Sequence, residues 1–156
     1  MRQALDQARL ALEDGEFPVG CVLVCENAVI RRGRRRNSKG SGSNEIDHAE
    51  MVTLRALLAD RPETDCRKIT VYSTMEPCLM CYTTLLLSGV RRFVWAYEDI
   101  MGGGTDLLVQ RPEELLGENV VFSSRRTDLR RVERGPARVQ RLVVVARRHS
   151  AAGLSC

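Results

Sequence analysis

The sequence predicts a single layered α/β domain in which helices cover a mixed sheet, and three observations carry that expectation. Segments with helical and strand-like patterning follow one another as helix, two strands, helix, strand, helix, strand up to Tyr97. A chain of 156 residues, 44% of them hydrophobic, suits one compact core and is short for two. No internal repeat is visible, and the charged opening "MRQALDQARLALEDGEF" has no apolar run of the length that a signal peptide or a membrane span requires. A cytoplasmic enzyme or binding protein, with no membrane partner, is therefore expected.

The elements follow from local pattern. From Arg2 to Asp14, Leu5, Ala8 and Leu12 recur at helical spacing and Gly15 offers a stop. "PVGCVLVC" and "AVIRRGRRR", separated by Glu26-Asn27, read as a strand pair with a short turn. The Gly/Ser-rich "NSKGSGSNEID" is a loop. In "HAEMVTLRALLAD" the residues Val52, Leu54, Leu57 and Leu58 fall mostly on one helical face, and Pro62 prevents continuation. "KITVYST" reads as a buried strand. Pro77 then suits a first helical position, "CLMCYTTLLLS" continues as helix, and Gly89 closes it. "RRFVWAY" is a further strand and "EDIMGGGTD" a glycine-rich loop valued for flexibility. Beyond about Arg111, "VVFSS" and "RLVVVARR" have strand character, while "HSAAGLSC" has the look of a disordered end.

Charge divides the chain at about the same place. Residues 1–110 hold 14 Lys and Arg against 15 Asp and Glu, whereas residues 111–156 hold 10 against 5. The core segment 1–110 is thus slightly acidic, and 111–156 is a basic segment that either completes the same domain or is partly disordered. Its charge suits phosphate contacts or, equally, a solvated surface. At 4% aromatic content, the chain has few rings for stacking on bases.

Six cysteines at irregular spacing, in a chain too long for a small secreted scaffold, point to reduced thiols. Cys21 and Cys25 cannot share an ion, since four residues of strand separate them by about 13 Å; they read as small buried hydrophobes facing the same way. Cys66, in a polar loop, and Cys156 read as ordinary free thiols, and His149 as a solvated tail residue. Pro77-Cys78-Leu79-Met80-Cys81 is different, because the spacing at a helix start allows a redox dithiol, a structural zinc site, or part of a catalytic one. A structural site needs four protein ligands, and a second close Cys/His pair is missing. His48 is the histidine able to complete a set of three, which leaves the fourth position for water.

His48 and Glu50 stand two apart, so they can cooperate only where a helix begins. Asp47 and Glu50 also have the spacing of a capping box, in which Glu50 would do no more than reach back to the cap amide. The alternative is a carboxylate beside the metal that takes a proton from water and hands it to a leaving amine. Thiolates at a helix start are favoured by the free amides and the dipole, and zinc would lower the pKa of a water in its open position from 15.7 toward roughly 7.

His48-Ala49-Glu50 together with Pro77-Cys78-Leu79-Met80-Cys81 resembles the signature of the zinc-dependent nucleobase deaminase superfamily. Within it, "MRQALDQARLALEDGEFPVGCVLV", the Asn37 ahead of "DHAE", and "EPCLMC" are similar to the bacterial tRNA adenosine deaminase branch, with the likeness running from residue 1 to about 108. The resemblance implies a three-layer α/β/α, cytidine deaminase-like fold, usually homodimeric. It implies zinc on His48, Cys78 and Cys81, Glu50 as the proton shuttle, and substrate contacts at Asn37 and Ala49. The reaction implied replaces a base's amino group by oxygen and releases ammonia, with adenosine in a tRNA anticodon loop as the first substrate and a free base, nucleoside or nucleotide as the second. A redox protein and a zinc-stabilised binding module remain the rivals from other classes.

Asn37 also reads as a turn residue, and Glu76, before the proline, reads as a surface carboxylate. Two departures from the family pattern are visible. "YTT" follows the cysteines where the tRNA branch carries small residues, so that Tyr82 either enters the core or narrows the site. The ending "RRTDLRRVERGPARVQRLVVVARRHSAAGLSC" lacks the amphipathic helix of the family, being broken by Gly135-Pro136 and dominated by Arg.

Overall fold

The computed structural model describes residues 1–105 and 121–124. Helix α1 spans Arg2–Glu13, strands β1 and β2 span Gly20–Cys25 and Ala28–Arg34, and helix α2 spans Ala49–Asp60. A single 3-10 turn at Cys66–Lys68 leads into β3 (Ile69–Met75), followed by α3 (Leu79–Leu87), β4 (Arg92–Tyr97) and β5 (Val121–Ser124). The sheet order is β2-β1-β3-β4-β5; β1 is antiparallel to β2 and β3, while β3, β4 and β5 run parallel. The sheet is therefore mixed, as expected. "RLVVVARR", "HSAAGLSC", His149 and Cys156 lie outside the described residues.

Strand register assigns the faces. Cys21 pairs with Gly33 and with Ser73, and Ser73 with Trp95, so these side chains share one face. Gly33 meets Thr53 of α2 there, and Phe93, also on that face, meets Tyr82 of α3 edge to face with ring centroids 5.3 Å apart. Gly20, one residue away, meets α1 on the opposite face. The result is α1, then the sheet, then α2 and α3, a three-layer α/β/α arrangement. Tyr82 accordingly belongs to the core.

The hairpin between β1 and β2 turns on Glu26 and Asn27, with φ of 48° and 64°. Positive φ at both central residues is the two-residue turn whose twist matches the strands. Cys21 and Cys25 do share a face, but Cys25 at the strand end is only half-buried. Cys66 corrects the expectation of a loop thiol: it is buried in the core beneath the 3-10 turn, where loss of hydration pushes its thiol up.

Two helices bury faces other than those expected. In α1 the core residues are Ala4, Ala8 and Ala11, while Leu12 is exposed. The reason is proximity, since a Cβ on Gly20 would overlap the Ala4 carbonyl oxygen and come within 2.6 Å of the Ala8 amide nitrogen. Only small residues allow such an approach, so alanines occupy the seam and the leucines are turned aside. In α2 the buried set is Ala49, Glu50, Met51, Thr53, Leu54 and Leu57, with Leu58 exposed. Thr53 stays buried because Gly33 leaves room for its hydroxyl, which donates to the Ala49 carbonyl at 2.5 Å.

Replacement of Gly20 by alanine is expected to push α1 off the sheet and to cost about 3 kcal/mol or more, the upper range of overpacking. The urea midpoint of Gly20→Ala measures this; an unchanged midpoint would contradict the close packing of α1.

Candidate metal centre

The starts of α2 and α3 meet on the face of the sheet opposite α1. His48 is the N-cap of α2, with φ −59° and ψ 152°, and Cys78 is the N-cap of α3, with φ −65° and ψ 169°. Both backbones are extended, so both side chains project beyond the helix end. Pro77 thus precedes the cap and does not open the helix as the sequence suggested. Cys81 is the third residue within α3, and a cap and its third residue face each other across the first turn, the geometry that a capping box also uses. The separation of three between the cysteines has this consequence.

His48 Nδ1 lies 3.5 Å from Cys78 Sγ and 3.6 Å from Cys81 Sγ, and the three ligand atoms all fall within 4.8 Å of one another. Tetrahedral zinc with Zn–S near 2.3 Å and Zn–N near 2.0 Å would hold nitrogen and sulfur about 3.5 Å apart, so the spacing fits that ion. The donor set fits as well, because two thiolates and an imidazole suit a borderline-soft cation. Electrostatics have the same sense. A hydrogen bond from Cys81 pulls the Cys78 thiol down to about 4, and the Cys81 thiol is pushed up by giving that bond and by burial. Hydrogen bonding with Cys78 raises the His48 pKa against the effect of its partial burial.

Glu50 is not part of a capping box. Its carboxylate is buried, accepts from Ser73 Oγ at 2.5 Å, and lies 3.6 Å from Cys81 Sγ through its other oxygen. Burial raises its pKa, and the Ser73 hydrogen bond only partly opposes this. Asp47 is likewise no cap: it accepts from Asn37, Asn44 and Arg55, and these bonds, that from Asn44 foremost, hold its pKa well below the usual carboxylate range.

That network decides the position of Asn37. Its Nδ2 donates to Asp47 at 2.7 Å, its amide donates to Glu16 at 3.0 Å, and its φ is 53°. The side chain is exposed and builds the loop, in the manner of a turn residue. A cavity of about 570 Å³ beside the centre is lined by His48, Ala49, Glu50 and Cys78 among others, and Asn37 does not belong to that lining. Ala49 does, fully buried behind the histidine. Arg35, for which the sequence raised no expectation, lines the cavity as well.

Glu76 requires a correction. Rather than a surface group it is 7% exposed, and it accepts from the amides of Asp99 and Thr105 and from the Thr105 hydroxyl. The glycine-rich loop is held in place by these bonds. Gly104 donates to the Pro77 carbonyl at 2.9 Å, and a Cβ there would approach the Leu79 amide nitrogen to 2.5 Å. The glycines serve close approach to the start of α3 and not flexibility alone. The roles of Ser73 and Arg35 were also missed, although period-two alternation from Val71 and from Gly33 pointed both inward.

Residues 1–97 match the family model described as cytidine and deoxycytidylate deaminase zinc-binding region. The tRNA-specific adenosine deaminase 2 of Danio rerio is 38% identical over 110 residues, covering 67% of this chain and 50% of that protein. The tRNA-specific adenosine deaminase of Streptococcus pyogenes serotype M18 is 31% identical over 110 residues, covering 70% and 68%. The chain therefore spans about half the length of the first relative and two thirds of the second. Among solved structures, one from studies of A-to-I editing by tRNA:A34 deaminases superposes with a TM-score of 0.68 at 28% identity, covering 80% of this chain and 95% of that one. Guanine deaminase from Bacillus subtilis shares the fold, with a TM-score of 0.54 at 23% identity, covering 62% and 61%.

Elemental analysis of the purified chain is expected to find about one zinc per chain, the load of a His/Cys/Cys site. Alanine at His48, Cys78 or Cys81 should each remove most of it and lower the melting temperature. Full zinc content in all three variants would place the metal elsewhere.

Proposed function

This chain belongs to the cytidine and deoxycytidylate deaminase family, and from that premise we propose that it is a zinc-dependent hydrolase that deaminates a nucleobase, with adenosine in transfer RNA converted to inosine as its substrate. The observation that carries the reading is the Glu50 carboxylate. It is buried at the wall of the cavity, beside the three metal-ligand side chains, and accepts from the Ser73 hydroxyl and from its own backbone amide. Its second oxygen is directed toward the centre. Names of the relatives support the transfer RNA assignment, and the cavity volume suits a nucleoside.

Hydrolytic deamination consumes one water, forms a C–O bond, breaks a C–N bond and releases ammonia. Two protons must move, one from the water to the ring and one to the departing nitrogen. His48, Cys78 and Cys81 are the side chains that would hold zinc, which when bound supplies a Lewis acid able to bring the pKa of water down to about 7. Glu50 carries the protons: burial lifts its affinity for one toward the working range, so the carboxylate can accept and then return it. Ser73 fixes the carboxylate plane by occupying one oxygen. Ala49, small and buried, leaves the cavity floor open to the ring.

Three further assignments go with this reading. A second copy of the chain is the partner proposed for the α3 side, where Leu79, Leu87 and, in the loop after β4, Ile100 and Met101 are exposed. The five described cysteines are free thiols, which supports a reducing, cytoplasmic setting. Among the described residues no helix is long and apolar enough to cross a membrane.

Glu50→Gln is expected to fold and retain zinc while ammonia release falls by at least about 100-fold. Equal turnover by variant and wild type would remove Glu50 from the chemistry. Ammonia followed over a panel of bases, nucleosides, nucleotides and an anticodon stem-loop tests the substrate. With RNA as substrate, kcat/KM should fall steeply as salt rises, because phosphate contacts release counterions; turnover confined to a free base and indifferent to salt would move the assignment to a small molecule.

A further inference from the structure

We infer that the ring of Phe17 is a stacking platform at the mouth of the cavity, holding the face of the base next to the one deaminated, so that the substrate is a nucleotide within a strand and not a free nucleoside. This assignment rests on the deaminase reading and narrows its substrate.

Depth in the cavity separates two groups of lining residues. Ala49 and Glu50 are 0% and 3% exposed, whereas Leu12 and Phe17, which line the same cavity, are 62% and 53% exposed, and Pro18 beside them is exposed too. The metal-ligand side chains and Glu50 therefore mark the floor, and Leu12, Phe17 and Pro18 form an apolar wall at the mouth. Among the described side chains, Phe17 is the only aromatic one that is exposed.

The backbone that carries this ring is pinned on both sides. Gly15, with φ of 75°, ends α1 by turning the chain back: its amide donates to the Leu12 carbonyl at 2.9 Å and the Glu16 amide to the Ala11 carbonyl at 2.8 Å. The Phe17 amide donates to Ser38 Oγ at 3.0 Å, and the same hydroxyl donates to the Glu16 carboxylate at 2.5 Å. On the far side the Val19 amide donates to the Phe17 carbonyl at 2.8 Å, and Pro18 restricts the conformation of the residue before it. A ring with two side-chain torsions on a fixed backbone loses little freedom when something lies against it.

What can lie there follows from position and charge. The base that reacts must bring its amino-bearing carbon to the floor, so the mouth meets the next part of the same molecule. Glu16 and Asp99 line the cavity as well, and their charge disfavours a phosphate close by. The uncharged face of a neighbouring base suits both an aromatic ring and this apolar wall, and stacking of that kind accepts any base because each has a π-face. A free nucleoside has no second base to offer, which gives the contact its selectivity.

The test couples the ring to single bases of the substrate. Ammonia release is measured for wild type, Phe17→Leu and Phe17→Trp on an anticodon stem-loop carrying adenosine, and on two stem-loops in which the nucleotide on the 5′ or the 3′ side of the target is abasic. For one of these the wild type should lose about 10- to 100-fold in kcat/KM, the range of one base stacked on a ring. Phe17→Leu, with its zinc content and melting temperature retained, should lose as much on the parent stem-loop and nothing further on that abasic one, while Phe17→Trp should behave as wild type. Equal additional losses in wild type and Phe17→Leu on both abasic substrates would overturn the inference, as would a wild type indifferent to both or a Phe17→Leu that matches wild type on the parent. Phe17→Met takes the place of Phe17→Leu should the latter fail to fold. Turnover confined to free nucleosides would overturn the platform and leave the deaminase reading standing, whereas no ammonia from any member of the substrate panel would end both.

Discussion

The structure depends on two helix starts being brought to one point. α2 and α3 lie on the same face of the sheet, and their N-caps, His48 and Cys78, come within hydrogen-bonding distance although thirty positions separate them in the chain. Three acidic groups then crowd together, Cys78, Cys81 and Glu50. They cannot all ionise without a compensating charge: Cys78 keeps its negative charge, while Cys81 and Glu50 are pushed toward their protonated forms. The free amides and positive dipole ends of two helices offset part of this repulsion. A divalent cation offsets far more, so the protein has built a place where a cation is worth more than protons. Donor chemistry makes that cation zinc.

Close packing makes the convergence possible. Gly33 admits Thr53, which fixes how closely α2 lies on β2, and Gly104 sits against the first residue of α3. Glu76 then holds the glycine-rich loop with three hydrogen bonds, directly before Pro77 and Cys78. Position and rigidity of the second cap thus come from a buried carboxylate that itself faces the cavity. Supporting groups of this kind orient ligands that would otherwise sample several rotamers.

Much of this was legible in the sequence, and what was not has specific causes. The order of elements followed from periodicity, and the turn at Glu26-Asn27 from the short gap between two apolar runs. His48, Glu50, Cys78 and Cys81 could be grouped because helix starts explain both of their spacings. Burial of Ala4 and Ala11 in place of Leu5 and Leu12 could not, since it follows from the close approach to Gly20 on another element. Asp47 and Glu50 illustrate a true ambiguity: the same spacing serves a capping box or a catalytic carboxylate, and only the Ser73 hydroxyl on the neighbouring strand resolves it. Glu76 and Arg35 were hidden for the same reason, as their partners Thr105, Asp99, Asn44 and Glu45 are set by tertiary contacts. Asn37 lies past the end of β2, in the loop, where its partners Glu16 and Asp47 are likewise set by tertiary contacts.

A cavity walled by carboxylates is an unexpected place for a polyanion, and this constrains how RNA could be used. Glu16, Glu45, Glu76 and Asp99 each have structural work, accepting backbone amides or side-chain donors, yet their charge repels phosphate all the same. A nucleic acid could therefore insert only a base and its sugar, with its phosphates left outside. Extrusion of a single nucleoside from its stack is the way enzymes commonly reach a buried base. The excess of arginine in residues 111–156, ten basic against five acidic, provides compensating charge elsewhere in the chain. An acidic wall of this kind disfavours a phosphate backbone, so the cavity's own carboxylates can receive a base and its sugar but cannot supply the grip on phosphates.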